Sequence, residues 1–493
     1  MTGNFKSDDS FLRKLVVGAS GVNTTIKKLK ELGFNPIELE RGSTGFKIWR
    51  KIKIKRIRVP DILCLNTGLR FESRGKTKLE ISMSHSLNDP KRAWDFGMRD
   101  DDIVTIVAFE QNENDPVNVK QISPVHFITV KDMRYAFKKE NITISKPKGF
   151  EEGSEIRVIW PSAFARYKSR IADITQDRIK MEPVTNSGKK QNIQLSRNRG
   201  KINLTPYILK NDYIDENQII ASVVPIGLSI SCPETVKEAY FIEKLNSVNL
   251  SERYAAAKAL RYRGYSLTAK KIIEDRMDDN EEDIYIKLEA AAALANKGDI
   301  KAWEFLESRL HSSTMTVPLE TQLETIIVSS ELASEKSENL LIDILRDNTR
   351  DTELRAGAAW ALGQFSTKKT AQALVDTFDL NDLDVKHEAA RALLRIGDEQ
   401  KNYLLSLIKS ISNNKRDGIS WVLARIGNFD PNVLLPESDE NLRKWISYIL
   451  GYGKDMFNET YIDKICKSDP EIYFAASVLW QILHSWIYDL SEY

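Results

Sequence analysis

The 493-residue sequence is poor in the residues that build metal clusters and disulfide scaffolds. It contains 3 cysteines and 5 histidines. Cys64, Cys232 and Cys466 lie far apart and form no Cys-x-x-Cys pair, which argues against a zinc ribbon and against a disulfide framework. The scattered histidines likewise give no reason to expect a histidine-rich metal site.

Long apolar runs are also missing. No stretch of eighteen apolar residues occurs, so no membrane span is expected. The first residues, MTGNFKSDDS, lack an apolar signal core, and a cytoplasmic protein is therefore expected. The apolar content of 42% and charged content of 29% are ordinary for a globular protein, and the length favours two to four domains.

Charge is distributed unevenly, although the formal net charge is only +2. Residues 1–100 hold 21 Lys and Arg against 11 Asp and Glu, and residues 151–210 hold 12 against 6. Residues 236–493 instead hold 32 against 42. A basic surface is typical of nucleic-acid binding, so we expect nucleic acid at the N-terminal half and a different partner at the acidic C-terminal half.

The C-terminal half repeats a short apolar helix that ends in glycine. Copies include AAAALANKG, ARALLRIG and WVLARIG, which end at Gly298, Gly397 and Gly427 and recur at about 30 to 38 residues. Weaker copies and a second amphipathic segment lie between them. The pattern resembles Ala-rich HEAT-like repeats, which implies an all-α solenoid over residues 236–493 that binds a protein partner or self-associates. The glycines are expected to form left-handed C-caps.

Residues 116–235 contain short β-prone runs such as EIRVIW and RIKMEPV, which predict a small barrel or sandwich. The stretch NSGKKQNIQLSRNRGK reads as a basic hairpin. The side chains expected to bind phosphates there are Lys189, Lys190, Arg197 and Arg199. A solvated loop is the alternative interpretation.

Residues 1–115 combine a helix, a strand meander and two isolated acids. A Gly-x-x-Gly in VVGASGVNTT is discounted as a dinucleotide site, and a helix capped at Asn23 or Thr24 and ending at Gly33 is predicted. A basic strand follows, then DILCL, a turn at Asn66–Gly68, and LRFESRGK. Phosphate contacts are expected from the basic strand, which carries Lys51, Lys53, Lys55, Arg56 and Arg58.

The two acids lie in Pro60–Asp61 and Glu72-Ser73-Arg74, which occur together with the helix, the meander and the later apolar strand DIVTIVAFE. In this combination the region resembles the PD-(D/E)xK nuclease superfamily. The resemblance implies a restriction-endonuclease-like α/β domain in which Asp61 and Glu72 hold Mg²⁺ or Mn²⁺ against a scissile phosphate. The family's lysine position is occupied by Arg74, which cannot act as a base. Lys76 lies on the same strand face and is the candidate substitute.

The predicted protein is thus multidomain α+β: a nuclease-like domain (1–115), a β-rich domain (116–235) and a HEAT-like solenoid (236–493). Its expected function is metal-dependent cleavage of DNA, with Asp61, Glu72, Arg74 and Lys76 as catalytic residues. The solenoid is expected to bind a partner or act in sensing, and by analogy the protein is placed in microbial defence. The alternative is a catalytically inactive, nuclease-like nucleic-acid-binding or adaptor protein on a HEAT scaffold, which Arg74 favours.

Overall fold

The computed structural model describes residues 8–39, 57–111, 119–146, 155–184, 188–311, 316–436 and 438–489. Within these ranges the chain forms two compact units, residues 8–275 and residues 276–489. The first unit contains the strands and the second is helical, which confirms the multidomain α+β class. The three predicted domain boundaries stay predictions.

The first unit is built mainly from strands. Its first two helices are α1 (Asp8–Glu31) and α2 (Val130–Lys138). Its strands are β1 (Pro36–Glu38), β2 (Ile62–Cys64), β3 (Arg70–Lys76), β4 (Ile81–Ser86), β5 (Ile103–Gln111), β6 (Val119–Gln121), β7 (His126–Thr129), β8 (Thr143–Ser145), β9 (Glu155–Trp160), β10 (Ser162–Phe164), β11 (Ser169–Ile174), β12 (Arg178–Pro183), β13 (Gln191–Gln194), β14 (Ser196–Arg197), β15 (Ile202–Asn203), β16 (Thr205–Pro206), β17 (Tyr213–Ile214) and β18 (Ile219–Ser222).

The main sheet has the order β1-β2-β3-β5, and both β6 and β7 pair with β5. The meander β1-β2-β3 is antiparallel, whereas β3 and β5 are parallel. The predicted turn at Asn66–Gly68 lies between β2 and β3, and Gly68 has the left-handed φ of 70° that such a turn favours. A second sheet, β4-β9-β8, packs into the same apolar core as β5 and β7.

The later strands form smaller sheets. Strands β10-β18-β16 and β13-β12-β11-β17 contribute to one separate apolar core, and β14 pairs with β15. The basic hairpin expected from the sequence corresponds in part to β14-β15, whose turn holds Arg199 at a positive φ of 54°. Strand β9, although it lies within the predicted β-rich region, pairs with β4 instead.

Helix α1 packs against β3 at very short range. A Cβ atom on Gly21 would lie 2.7 Å from the backbone nitrogen of Gly75, and one on Gly75 would lie 2.1 Å from the carbonyl oxygen of Val17. Thr25 adds hydroxyl contacts to Ser73 at 3.2 Å and Thr105 at 3.0 Å. The predicted cap at Asn23 or Thr24 was wrong, because α1 spans Asp8–Glu31 and Gly21 lies inside it at the close contact with β3.

Helices α3 (Glu238–Leu245), α4 (Leu250–Arg263) and α5 (Leu267–Asp278) follow the strands. Hydrogen bonds tie α3 and α4 to the strand-rich part of the first unit. Arg70, which is buried and ion-paired with Asp102, donates to the Ser251 hydroxyl at 3.0 Å, and Arg99 donates to the Tyr240 hydroxyl at 2.8 Å. These first helices of the predicted solenoid thus belong to the first compact unit.

The second unit continues with α6 (Ile284–Ala295), α7 (Ile300–His311), α8 (Leu319–Glu331), α9 (Glu335–Arg346), α10 (Thr352–Leu362), α11 (Lys368–Asp376), α12 (Leu383–Arg395), α13 (Gly397–Ser410), α14 (Asn413–Ile426), α15 (Glu440–Tyr452), α16 (Glu459–Ser468) and α17 (Pro470–Asp489). Successive even-numbered helices from α6 to α14 contact one another, which is the stacking expected of a solenoid. Among the described residues, no helix is long and apolar enough to cross a membrane.

The glycines between repeats do not all serve as caps. Gly298 and Gly427 have the left-handed φ expected of a C-cap. Gly397 instead begins α13, where a Cβ would collide with Ile426, and Gly453 has a φ of −99°. The C-cap prediction was therefore wrong at Gly397, which packs closely at the start of α13. Gly453 is the C-cap of α15, but the left-handed conformation expected for it was wrong.

The helix–strand contact gives a first prediction. Gly21→Ala should strongly destabilise the first unit, because its methyl group would overlap the β3 backbone. Gly18→Ala, three residues earlier in the same helix, has nothing within 4 Å and should stabilise by about 0.5–1 kcal/mol through helix propensity. Urea unfolding of the two variants measures both effects. Equal stabilities would contradict the close contact.

His126 gives a second prediction. Its Nε2 accepts from the Ile219 amide at 2.9 Å, so the ring is neutral and its Nδ1 proton faces the Ile106 carbonyl at 3.3 Å. Burial lowers the pKa of His126 to about 4. Protonation therefore favours the unfolded chain, and stability should fall by up to about 3 kcal/mol as the pH drops from about 6.5 towards 4.

The measurement is the free energy of unfolding across that pH range. His126→Gln removes the titrating ring and should flatten this dependence. The exposed His387 provides the control, since His387→Gln should leave it unchanged. An unaltered pH profile in His126→Gln would show that His126 is not responsible.

Candidate metal and nucleic-acid site

Asp61 and Glu72 are brought together by the pairing of β2 with β3. Ile62 pairs with Phe71 and Leu63 with Arg70, so the next step of the same register places Asp61 opposite Glu72. Residues directly opposite in an antiparallel pair project from the same face. The Asp61 carboxylate also accepts the backbone N–H of Ser73 at 2.7 Å, which fixes it beside β3.

Glu72, Arg74 and Lys76 project from the face of β3 opposite to α1. Ser73 contacts α1 through Thr25, and side chains alternate along a strand, so the even-numbered residues point away from the helix. Arg74 forms an ion pair with Glu72, whose side chain is only 8% exposed. Arg74 also donates to the Met83 sulfur at 3.3 Å.

Lys76 is held by neutral oxygens on β4. Its Nζ donates to the Ser82 carbonyl oxygen at 2.9 Å and to the Ser82 hydroxyl at 3.1 Å. Burial and the nearby Arg74 and Arg157 guanidinium groups lower the pKa of Lys76 to about 8. Unlike Arg74, this amine can therefore gain or lose a proton close to neutral pH.

The donor set suits a hard cation. Asp61 and Glu72 offer carboxylate oxygens, and Mg²⁺ commonly binds one or two carboxylates while water and substrate phosphates complete its coordination. In the part of the chain that the structure describes, no group of three or more His, Cys, Asp or Glu side chains could hold a metal. Both acids also have protein partners, since Ser73 contacts one and Arg74 the other.

The predicted phosphate-binding residues lie in several places. Lys51, Lys53, Lys55 and Arg56 lie outside the described residues. Arg58 donates to the carbonyl oxygens of Lys91 at 3.1 Å and Ala93 at 3.2 Å. Arg58 therefore has a structural contact in addition to any role in binding.

The remaining predicted contacts belong to the separate group of sheets. Lys189 and Arg199 are exposed, and Lys190 forms an exposed ion pair with Glu182 at 3.4 Å. Arg197 donates to the backbone carbonyls of Gln194 and Ser196. Lys189 and Lys190 directly precede β13, Arg197 lies on β14 and Arg199 lies in the turn before β15, so all four are on other sheets than β3, which carries Glu72.

Sequence reasoning missed Ser82 and Arg157. Arg157 lies on β9, opposite Ser84 of β4, and its Nε donates to the Ser82 hydroxyl at 3.1 Å. The alternation in EIRVIW identifies a strand, but it carries no signal for the strand with which it pairs. Arg157 could therefore not be assigned to this site before the sheet topology was known.

The HEAT-repeat family matches residues 320–393 and 337–424. The C-terminal half thus contains HEAT repeats, as predicted. No curated protein matches the chain. The family match lies wholly within the second unit, and the nuclease resemblance of the first unit stays a prediction.

Solved structures similar to the chain share low sequence identity with it. YibA of Escherichia coli is 15% identical over 50% of this chain and 93% of its own, with a TM-score of 0.27. The complex of CpcE and CpcF of phycocyanin lyase from Nostoc is 18% identical over 52% and 97%, with a TM-score of 0.24. Human deoxyhypusine hydroxylase is 15% identical over 50% and 96%, with a TM-score of 0.21. At these TM-scores the likeness supports no functional inference.

The Asp61 contact gives a third prediction. Asp61→Ala removes the acceptor of the Ser73 N–H and should cost about 1–3 kcal/mol of unfolding free energy, because an unmade buried hydrogen bond is costly. Asp61→Asn keeps an acceptor oxygen and should cost much less. Urea unfolding of both variants compares them. If Asp61→Ala were as stable as the parent, the contact would contribute nothing.

Proposed function

We propose that the protein is a metal-dependent nuclease that cleaves DNA, with Asp61 and Glu72 holding Mg²⁺ or Mn²⁺. The observation that carries the proposal is that the Asp61 carboxylate, directly before β2, accepts the Ser73 N–H at 2.7 Å, which holds it beside β3 next to Glu72. A helix, the DILCL–turn–LRFESRGK hairpin and the later apolar strand are present as α1, β2-β3 and β5, which supports the same assignment, whereas most of the basic strand expected before them lies outside the described residues.

When bound, Mg²⁺ would supply Lewis-acid stabilisation of the phosphate and a more acidic water. The protein's own residues have distinct roles around it. Asp61 and Glu72 orient the carboxylate oxygens. Arg74 stays protonated and balances negative charge, whereas Lys76, with a pKa of about 8, is the group able to hold or release a proton.

The HEAT repeats are proposed to serve as a scaffold for a protein partner or for self-association. Their acidic composition disfavours a polyanionic ligand, and solenoids offer extended binding surfaces. A role in sensing or microbial defence is proposed by analogy alone. Nucleic acid is assigned to the first unit on its basic residues.

A second candidate is an inactive nuclease-like protein that binds nucleic acid. The ion pair between Arg74 and Glu72 favours it, because the arginine engages a carboxylate that metal binding requires. The two candidates differ in one outcome. A nuclease cleaves when metal is supplied, whereas the inactive protein binds nucleic acid and leaves it intact.

The fourth prediction tests catalysis. The full-length protein is incubated with plasmid, linear duplex, single-stranded DNA and RNA in Mg²⁺, Mn²⁺ or EDTA. Asp61→Asn and Glu72→Gln should each lower metal-dependent cleavage by roughly 100-fold or more, since a metal ion supplies several kcal/mol of transition-state stabilisation. Glu110→Gln, at an exposed acid on β5, is the matched control and should cleave like the parent. Wild-type rates in both site variants would refute the assignment.

The fifth prediction concerns binding. Replacing Lys189, Lys190 and Arg199 by alanine should weaken affinity for all DNA sequences alike and flatten its salt dependence, because phosphate contacts release counterions and carry no sequence information. Fluorescence anisotropy over a salt series, in EDTA, measures both quantities. Replacing Lys368, Lys401 and Lys409 of the second unit gives a control with the same loss of charge. An equal loss in the control would remove the assignment of binding to the first unit.

A further inference from the structure

Three cationic side chains from two different sheets converge beside Ser82. Lys76 of β3 and Arg157 of β9 both donate to the Ser82 hydroxyl oxygen, each at 3.1 Å. Arg74, on the same face of β3 as Lys76, donates to the sulfur of Met83, the neighbour of Ser82 on β4, at 3.3 Å. Ser82 itself is buried. The cluster is therefore assembled by the packing of β4 against β3 and β9, and no contiguous motif encodes it.

Two of the three cations in this cluster form ion pairs with acids. Arg74 pairs with Glu72, and Arg157 pairs with Glu80 at 2.5 Å. Lys76 instead hydrogen bonds to the neutral carbonyl and hydroxyl oxygens of Ser82. Like charges held close together destabilise one another, so an anion bound among them would be stabilised by all three.

The two guanidinium groups remain accessible to a ligand. The Arg74 side chain is 41% exposed and that of Arg157 is 50% exposed. A guanidinium presents several N–H donors in a planar fork that matches the oxygens of a phosphate. Lys76 is half-buried and its Nζ is held by two hydrogen bonds to the buried Ser82, so the cluster combines two accessible guanidinium groups with one fixed ammonium group.

The cluster lies next to the Asp61–Glu72 pair and is joined to it by the ion pair between Arg74 and Glu72. Arg74 and Lys76 share the strand face of Glu72, at steps of about 7 Å for every two residues. A nucleic-acid strand whose reacting phosphate meets the two acids would therefore carry another of its phosphates past the cations. We propose that Arg74, Lys76 and Arg157 bind a backbone phosphate of nucleic acid beside the Asp61–Glu72 pair. This site rests on the proposed function for the identity of its ligand.

Arg157 is the residue to test. It contacts Ser82 and Glu80, and none of the contacts described above joins it to Asp61 or Glu72, so its replacement changes the proposed phosphate site and leaves the proposed metal ligands in place. The full-length protein is titrated into a fluorescein-labelled single-stranded 16-mer and its duplex, in EDTA. Arg157→Ala should raise Kd roughly tenfold and lower the salt slope by about one. Arg157→Lys should keep the salt slope, since it keeps the charge. Arg170→Ala, at an exposed arginine of β11, should match the parent.

Parent-like affinity and salt slope in Arg157→Ala would overturn the proposal, and so would absence of binding by the parent. If circular dichroism shows that Arg157→Ala is poorly folded, Arg157→Gln is measured instead. Its amide can still donate a hydrogen bond to Ser82, but it lacks the positive charge, so its salt slope should also be lower than that of the parent by about one. Competition with inorganic phosphate at constant ionic strength distinguishes the ligand source. If Arg157→Ala weakens phosphate binding but leaves oligonucleotide binding intact, the ligand is a free anion and the proposal is wrong.

These outcomes separate the site from catalysis. Weaker binding by Arg157→Ala with no cleavage by the parent in Mg²⁺ would keep the phosphate site and remove the nuclease. Cleavage by the parent with unchanged binding by Arg157→Ala would keep the nuclease and remove the phosphate site.

Discussion

The close approach of α1 to β3 at Gly21 and Gly75 determines which face of the sheet can carry the candidate site. The helix backbone lies so near the strand that a Cβ atom at either position would overlap backbone atoms. Ser73 and Gly75 must therefore face α1, and strand alternation then directs Glu72, Arg74 and Lys76 to the other face. The arrangement of charged groups at the site is a consequence of this helix–strand contact.

The chemistry of that face depends on a balance between acids and cations. Two carboxylates suit a divalent cation, yet Arg74 already pairs with one of them. A buried carboxylate without a counter-charge is unfavourable, so Arg74 can stabilise Glu72 in the absence of metal and neutralise substrate charge in its presence. The ion pair between Arg74 and Glu72 is thus consistent with an active nuclease in which Arg74 moves away when metal binds. It is equally consistent with an inactive protein that binds nucleic acid without cleaving it.

Local features of this fold could be predicted from the sequence. The turn at Asn66–Gly68 and the shared face of Glu72 and Lys76 follow from turn chemistry and from strand periodicity, which involve neighbouring residues only. The HEAT repeats were predictable for the same reason, since each repeat restates a local pattern. The part of α1 before Asn23 was not, because Gly18 and Gly21 disfavour a helix and the packing of Gly21 against β3 does not show in the sequence.

Long-range pairing set the limit of the sequence analysis. Arg157 lies 75 residues from Ser82, and nothing in the intervening chain indicates that β9 would join β4. The hydrogen bond from Arg70 to Ser251 that connects α4 to the strands spans 181 residues and could not be predicted from the sequence either. The candidate acids could be named from a short motif, whereas the cations around them required the topology.

The central claim is that Asp61 and Glu72 together hold a divalent metal. The most direct measurement is anomalous diffraction from crystals of the full-length protein soaked in Mn²⁺. If both carboxylates hold the metal, a Mn²⁺ peak lies within coordinating distance of an oxygen of each, and the peak is lost in Asp61→Asn. Crystals that bind no Mn²⁺ there at millimolar concentration, with Arg74 still paired to Glu72, would contradict it.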